Sequence, residues 1–491
     1  MKPYFSRRKF LQAGAATTAL SGLSAPMIAS GARRNNVLFI GVDDFNTSLG
    51  CYGTPVVKTP NLDRLASRGV RFLNHQCQYP WCSPSRSSLL TGLAPDTTHI
   101  YDLQTHFRTT VPDAVTVSQL FRQNGYFAAR VGKIFHAGNP GQIGMDGLDD
   151  PKSWDTVYNP SGLDHTKEEK SVTSFTPHRG KGSSIAFYRS PAPDSQITDG
   201  IGAAKVIESL ERYRKEPLFM AYGLYRPHVP WVVPSKYFDL FPLDTIPEIP
   251  FSPEELKIAP PLAYWTDPPN FGMSVRQRKE AIQGYYAATA FMDAQVGKVL
   301  AAVDRLGLAE KTTIVFWSDH GFQLGQHGQW EKQTLFEHAA RVPLIVAGAG
   351  VQGKGKPCHR TTEHLDIYPT LAEMFQLRGA PKNLHGKSLA PLLRDPKAPW
   401  SKPAVTQVGR SSTEGPEVMG YSIRTERFRY TMWQDGEAGE ELYDYQNDPG
   451  ELNNLASHAG SGHVRDKLRA QLKTIRSARS TSIKTSEVQA V

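Results

Sequence analysis

Near-continuous apolar runs that break off abruptly in polar or charged residues constrain this chain most. Asn36–Val42 is the clearest, followed at once by Asp43 and Asp44. Phe127–Val131 gives way to Gly132 and Lys133, and Leu218–Leu224 is followed by Arg226, Pro227 and His228. Thr313–Trp317 ends in Ser318, Asp319 and His320, and Val342–Ala347 is a fifth run. A run that is apolar at successive positions, rather than at every second one, belongs to a strand covered on both faces. Helical patterns fall between the runs. Asn61–Ser67 is one, and Val117–Gln123 is another, with Thr116 as its N-cap and Gly125 as its stop. Arg276–Leu306 is long, with Ile282, Tyr285, Val296, Leu300 and Val303 on one side. Strands alternating with helices predict an α/β fold: a doubly wound, mostly parallel central sheet flanked by helices. In such sheets ligands bind outside the carboxyl ends of the strands, where these polar clusters fall.

The remaining chain divides by texture. Residues 1–32 read as an address label. Ser6-Arg7-Arg8-Lys9-Phe10-Leu11 resembles a twin-arginine export signal, and Ala13–Leu23 is a weakly apolar run too short and too polar to span a bilayer. Ser30, Gly31 and Ala32 offer a cleavage site. The expectation is a folded protein handed to the twin-arginine machinery and exported to the periplasm or beyond. Residues 33–400 carry the sheet pattern and are expected to form the catalytic domain. Within them, 138–195 is rich in Gly, Pro, Ser and Asp and reads as a long insertion, either shaping a cleft or serving as a plain loop. From 401 to 491 the strands at Tyr421–Trp433 and Glu441–Tyr445 and a closing helix at His463–Ile475 predict a smaller α+β subdomain.

Charge and cysteine content exclude several classes. Of the formal net charge of +9, four positive charges (Lys2, Arg7, Arg8, Lys9) lie in the first 32 residues, which hold no acid. The other basic residues are interspersed with acids and form no stripe, so no nucleic-acid partner is expected. A charged fraction of 21% and a mean hydropathy of −0.41 argue against a polytopic membrane protein. Four cysteines (Cys51, Cys77, Cys82, Cys358) are too few for a disulfide scaffold, and the absence of any C-x-x-C pair excludes a zinc ribbon. If one of them has a chemical task, at most one disulfide forms and one thiol stays free.

The chemistry sits in separated clusters, each with a plain structural reading when taken alone. Cys82-Ser83-Pro84-Ser85-Arg86 fits a buried cysteine before a turn proline. Asp43-Asp44 fits a cap and a surface acid, and Asp319-His320 a cap and a satisfied histidine. Together, however, Asp43, Asp44, Asp319 and His320 at neighbouring strand ends offer mostly hard oxygen ligands, which suit Ca²⁺ or Mg²⁺ better than zinc. Lys133, His136, His228 and Lys332 add a cationic, proton-transferring surround.

Taken in order and spacing, these motifs resemble the formylglycine-dependent sulfatases of the alkaline-phosphatase-like superfamily, and within them the iduronate-2-sulfatase-like branch. The similarity runs from Asn36 to Asp448-Pro449-Gly450-Glu451-Leu452-Asn453-Asn454-Leu455. It includes Thr59–Ala66, Cys82–Arg86 with Thr91-Gly92, Pro95–Thr98 with Tyr101-Asp102, Gly132–His136, Arg226–His228, and Ser318–Gly321 through Trp330–Lys332. The resemblance implies an alkaline-phosphatase-like fold and oxidation of Cys82 to formylglycine by a formylglycine-generating or sulfatase-maturating enzyme. A cysteine attacking sulfur would be left as a stable thiosulfate ester, whereas the second hydroxyl of a hydrated aldehyde can expel sulfate. The resemblance further implies one cation, Ca²⁺, on Asp43, Asp44, Cys82, Asp319 and His320. It also implies charge neutralisation by Arg86, Lys133 and Lys332, a base in His136, and an acid in His228, a role Lys332 could share. The implied substrate is a sulfated saccharide, with a uronate-type or related acidic sugar leading. Many relatives carry Asn where His320 stands. Asp102, His106 and Trp231 lie near motif residues and fit either sugar contact or packing. Two other functions stay open at this point: a phosphonate or phosphodiester hydrolase of the same superfamily, and a non-catalytic sugar-binding protein if Cys82 stays unmodified.

Overall fold

In the computed structural model, Asn36–Val42 (β1), Gly69–Gln76 (β2), Phe127–Gly132 (β3), Thr156–Tyr158 (β4), Leu218–Leu224 (β5), Thr312–Ser318 (β6), Arg341–Gly348 (β7) and Pro357–Glu363 (β8) form one eight-stranded sheet. Its order is β8-β2-β7-β6-β1-β5-β3-β4. The described residues are 34–410 and 417–481, so the export segment lies outside them. Only β7 runs against its neighbours; every other pairing is parallel. This is the expected mostly parallel, doubly wound sheet.

Helices cover both faces, which is why β1 needs apolar residues throughout. Leu38, Ile40 and Val42 point into a core shared with the long helix Val275–Arg305 and the helix Thr198–Tyr213. Val37 and Phe39 point into the opposite core, against Val117–Gln123 and Ile367–Met374. The capping inferred from sequence is present: Thr116 Oγ1 accepts from Gln119 N at 3.1 Å. The long helix opens with a capping box on Ser274 and Gln277.

Register positions the site. Val42 of β1 lies opposite both Leu224 of β5 and Ser318 of β6, and Gly132 of β3 lies opposite Gly223. Four adjacent strands therefore end at nearly one level. Asp43-Asp44, Asp319-His320, Arg226–His228 and Lys133 leave the sheet side by side. Gly132 (φ +74°) makes the exit possible, since a Cβ there would fall 2.0 Å from the Gly223 carbonyl oxygen.

Several elements depart from the sequence reading. Gly69–Gln76 and Pro357–Glu363 belong to the main sheet although both end in polar residues. Asn74, His75 and Gln76 are buried there with hydrogen-bond partners rather than apolar neighbours. The insertion is not a free loop. Thr156–Tyr158 extends the sheet edge, and Ala186–Ser190 pairs with Thr173–Ser174 and Trp231–Pro234. Beyond residue 400, Ala404–Arg410, Val418–Arg424, Phe428–Trp433 and Glu440–Asp444 form a four-stranded antiparallel sheet. It packs on the helix Gly462–Thr481 through Ile423, Tyr430, Met432, Leu442, Leu468 and Leu472. The stretch Tyr421–Trp433 is thus two strands and a turn. All four cysteines are free thiols.

Candidate active site

Cys82 is the first residue of the buried helix Cys82–Thr91, preceded by extended Trp81. Pro84 is tolerated because its missing N–H falls in the first turn, where no intrahelical partner exists. Arg86 follows one turn later on the same helix face. Its guanidinium is fully buried: Nε donates to Asp319 Oδ2 at 2.9 Å, Nη2 to Asp43 Oδ1 at 3.1 Å, and Nη1 to the carbonyls of Lys133 and Ile134 at 2.9 Å. One side chain thereby ties together the ends of β1, β3 and β6.

The carboxylates of Asp43, Asp44 and Asp319 have no measurable exposure. Lys133 Nζ holds Asp43 at 2.7 Å. Burial opposes ionisation of Asp43, but Lys133, then His228, Arg86 and Lys332, hold it well below the usual carboxylate range. Asp44 is different: burial lifts its carboxyl to about 6 despite Lys332 and His320. Asp44 also sits at φ 59°, in a left-handed turn just past the strand end. Tyr285 of the long helix fixes this turn by donating to the Asp44 carbonyl at 3.0 Å and accepting from Asn46 N at 3.0 Å.

His320 Nδ1 lies 2.9 Å from the Gly321 carbonyl and therefore donates to it. Its other ring nitrogen, Nε2, faces Asp44 Oδ1 at 3.2 Å and Asp319 Oδ2 at 3.7 Å. Carboxylate oxygens, an imidazole nitrogen and a sulfur that converge in a buried space are donors of the kind that fit a divalent metal. Asp43, Asp44, Cys82 and His228 form one group of converging ligand atoms, and Cys82, Asp319 and His320 a second. Cys82 belongs to both. Its Sγ is 3.3 Å from His320 Nε2, 3.9 Å from Asp44 Oδ1 and 3.9 Å from Lys332 Nζ. Burial pushes its thiol well above the ordinary cysteine range, so an unmodified Cys82 is a protonated thiol.

Lys332 Nζ reaches both oxygens of Asp44, at 2.6 and 2.7 Å, and His228 Nε2 at 3.1 Å. Burial, followed by the Lys332 charge, holds His228 well below the ordinary histidine range. His136 is neutral for the same kinds of reason, burial first and Lys133 second, and its buried Nδ1 has no hydrogen-bond partner. Every residue given a catalytic or metal-binding role from sequence is thus buried in this region: Asp43, Asp44, Cys82, Arg86, Lys133, His228, Asp319, His320 and Lys332 in one connected network, with His136 beside it and not hydrogen-bonded to Cys82.

Other residues join this network that the sequence reading gave no role of their own. Ser85 Oγ donates to the Asp319 carbonyl at 2.5 Å, and His364 Nε2 meets the same oxygen at 3.1 Å. His364 Nδ1 is 2.9 Å from His75 Nε2, and His75 Nδ1 is 2.8 Å from Thr362 Oγ1. Asp199 accepts from the main-chain N–H groups of Tyr225 and Arg226 at 2.9 Å each, while the Arg226 guanidinium pairs with Asp164 of the insertion at 3.0 Å. These contacts fix the turn that presents His228. Ser85 and Arg226 stood inside recognisable motifs; the others come from strands, helices and turns distant in sequence. Asp102, His106 and Trp231 are explained by structure. Asp102 caps a turn through Gln104 N and Thr105 N. His106 accepts from Arg108 N and reaches the Asp149 carbonyl. Trp231 is fully buried and donates to the Pro227 carbonyl.

Comparison with known proteins places the chain in a family. The family model described as Sulfatase matches residues 35–377, and the one described as N-sulphoglucosamine sulphohydrolase, C-terminal, matches residues 325–478. Human iduronate 2-sulfatase is 32% identical over 524 residues, covering 87% of this chain and 92% of that protein. A sulfatase of Formosa agariphila is 32% identical over 444 residues, covering 86% and 83%. Among solved structures, the phosphonate monoester hydrolase of Agrobacterium radiobacter superposes with a TM-score of 0.74 at 24% identity, over 91% of this chain and 96% of that one. That likeness establishes the alkaline-phosphatase-like fold. With motif order, fold and relatives all in agreement, the chain belongs to the sulfatase family and is a sulfuric ester hydrolase.

Proposed function

We propose that this protein is an exported sulfatase that removes sulfate from a saccharide carrying a uronate-type or related acidic sugar. The observation that carries the reading is the position of Cys82. It lies at the head of a buried helix, among three carboxylates, with His320 Nε2 at 3.3 Å and the Lys332 ammonium at 3.9 Å. Conversion to formylglycine would give this position a geminal diol, a nucleophile able to release what it has captured. A bound divalent cation, which the oxygen-rich donor set makes Ca²⁺ in our reading, would supply Lewis acidity at that place.

The chain's own residues supply the rest. Arg86 and Lys133 hold Asp43, and Arg86 also holds Asp319, so the ligands are fixed before substrate arrives. Lys332 and Arg86 place positive charge where the sulfuryl group gathers negative charge. The Lys332–His228 pair holds one proton close to Cys82 and can pass it to a departing alkoxide. His136, neutral and with Nδ1 free, is in the right state to act as a base. Export rests on Ser6–Leu11, and the acidic sugar on the iduronate 2-sulfatase likeness of much of the chain, which also carries histidine at 320.

The test is a sulfate-release screen on the matured protein. It would use sulfated uronic-acid oligosaccharides, neutral sugar sulfates, 4-nitrophenyl sulfate and a phosphonate monoester. Preference for a sulfated uronic-acid substrate is expected. A neutral sugar sulfate as best substrate would overturn the acidic-sugar assignment, and preferential phosphonate hydrolysis would overturn the sulfatase reading as a whole.

A further inference from the structure

The insertion reaches the catalytic network at one place outside the motifs. Arg179, in the single turn Pro177–Arg179, pairs with Glu331 at 2.7 Å, and Glu331 immediately precedes Lys332. Arg179 is itself fixed. Its Nε donates to the Ser183 carbonyl at 3.0 Å, and its guanidinium lies 4.2 Å from the centre of the Phe271 ring. Glu331 is buried, and its second oxygen, Oε1, has no partner, so the carboxylate depends on Arg179 alone for a hydrogen bond.

The backbone around Lys332 makes this dependence consequential. Glu331 (φ 66°) and Gln333 (φ 70°) are both in the left-handed region, which residues with side chains occupy only when their surroundings hold them there. Gln333 is held by its N–H on the Pro80 carbonyl at 3.0 Å, on the approach to Cys82. On the other side of Lys332, the Arg179 ion pair is the side-chain anchor. Lys332 thus hangs between two fixed points, one belonging to the Cys82 segment and the other to the insertion.

We propose that Arg179 and Glu331 are positioning residues for Lys332, through which the 138–195 insertion is coupled to sulfate-ester cleavage. The proposal rests on the reading of Lys332 given under Proposed function. Removing Arg179 leaves a buried carboxylate next to Lys332 with no other partner, and the nearest cation it can draw on is Lys332 itself. The ammonium then shifts from Asp44 and His228. Replacing Glu331 by Gln as well removes that competing charge.

The experiment compares Arg179→Ala, Arg179→Lys, Glu331→Gln, the double variant Arg179→Ala/Glu331→Gln, and Lys332→Ala. All are matured full-length proteins, assayed with 4-nitrophenyl sulfate and by thermal unfolding. For Arg179→Ala, kcat is expected to fall about 10- to 100-fold, the scale of a displacement near 1 Å, with KM changed less than about threefold. Arg179→Lys is expected to recover most of kcat, and the double variant to exceed Arg179→Ala in kcat. Three results would overturn the proposal: unchanged kcat in Arg179→Ala, losses that multiply in the double variant, or a lowered unfolding temperature with kcat intact. If Arg179→Ala does not fold, Glu331→Gln carries the test: a kcat below wild type is expected because the ion pair to Arg179 is lost, and wild-type kcat in Glu331→Gln overturns the proposal. Lys332→Ala separates the two levels. If it stays active, the role of Lys332 fails and the proposal with it; if it is inactive while Arg179→Ala keeps full kcat, only the positioning role fails.

Discussion

Lys332 Nζ donates to His228 Nε2 across 3.1 Å while His228 Nδ1 donates to the Val229 carbonyl at 2.6 Å. The second bond fixes the tautomer of the neutral ring, so in this state the shared proton resides on the lysine side. A sugar alkoxide is a poor leaving group and needs that proton. A nitrophenolate leaves without it.

His228→Ala is therefore expected to lower kcat/KM on a sugar sulfate by about 10²- to 10⁴-fold, the range of positioned acid catalysis, and on 4-nitrophenyl sulfate far less. Steady-state kinetics on the two substrates checks this. Equal losses on both would remove His228 from proton delivery.

Asp43→Asn and Asp319→Asn each remove a carboxylate charge from the buried donor set and from the Arg86 clamp. Both are expected to lose the bound cation and at least about 1,000-fold in activity, because several kcal/mol of transition-state stabilisation goes with it. Elemental analysis of the wild type is expected to give one calcium per chain. Full activity after exhaustive chelation would contradict a catalytic cation.

The histidine pair behind Asp319 gives the fold a pH dependence. Burial, first of all, lowers His364 to about 4 and holds the contacting His75 well below its ordinary range. The unfolded chain therefore binds more protons than the folded one between roughly pH 6.5 and 4. The stabilisation from keeping these rings neutral is complete above pH 6.5 and is lost as pH falls toward 4. For His364 it amounts to on the order of 2–3 kcal/mol. Urea unfolding at pH 7 and pH 4.5 should show a smaller difference in His364→Gln than in the wild type. An unchanged difference would show that His364 is not buried neutral.

The sequence made the catalytic end of the sheet legible because each active-site cluster directly follows an apolar run or sits in a compact motif. Chain direction and strand parallelism then force the clusters together: Asp43 after β1, Lys133 after β3, Asp319 after β6. Cys82 and Arg86 were legible as a compact Cys-x-Pro-x-Arg motif, although not as the start of a helix. The partners that hold this set in place were not. Tyr285 looks like one more apolar position on a long helix, and its hydroxyl gives no sequence sign that it grips the turn at Asp44. His75 and His364 lie on a strand and a turn rich in polar residues, where periodicity is silent, and only the β2–β8 pairing brings them together. The insertion reads as loop because its strands are two to five residues long, yet it supplies Asp164 and Arg179 to the site's surroundings. Long-range side-chain pairing leaves no local pattern to read.

The most direct test of the account is the chemical state of Cys82 in active enzyme. Tryptic cleavage after Arg71 and Arg86 releases the peptide Phe72–Arg86, which contains both Cys77 and Cys82. Mass spectrometry is expected to find an aldehyde in place of the thiol at Cys82, reactive with a hydrazide, and an intact thiol at Cys77, which is buried against the Ala339 carbonyl. Cys82→Ala should fold normally and show no turnover. Finding Cys82 wholly unmodified in a preparation that hydrolyses sulfate esters at full rate would contradict the account.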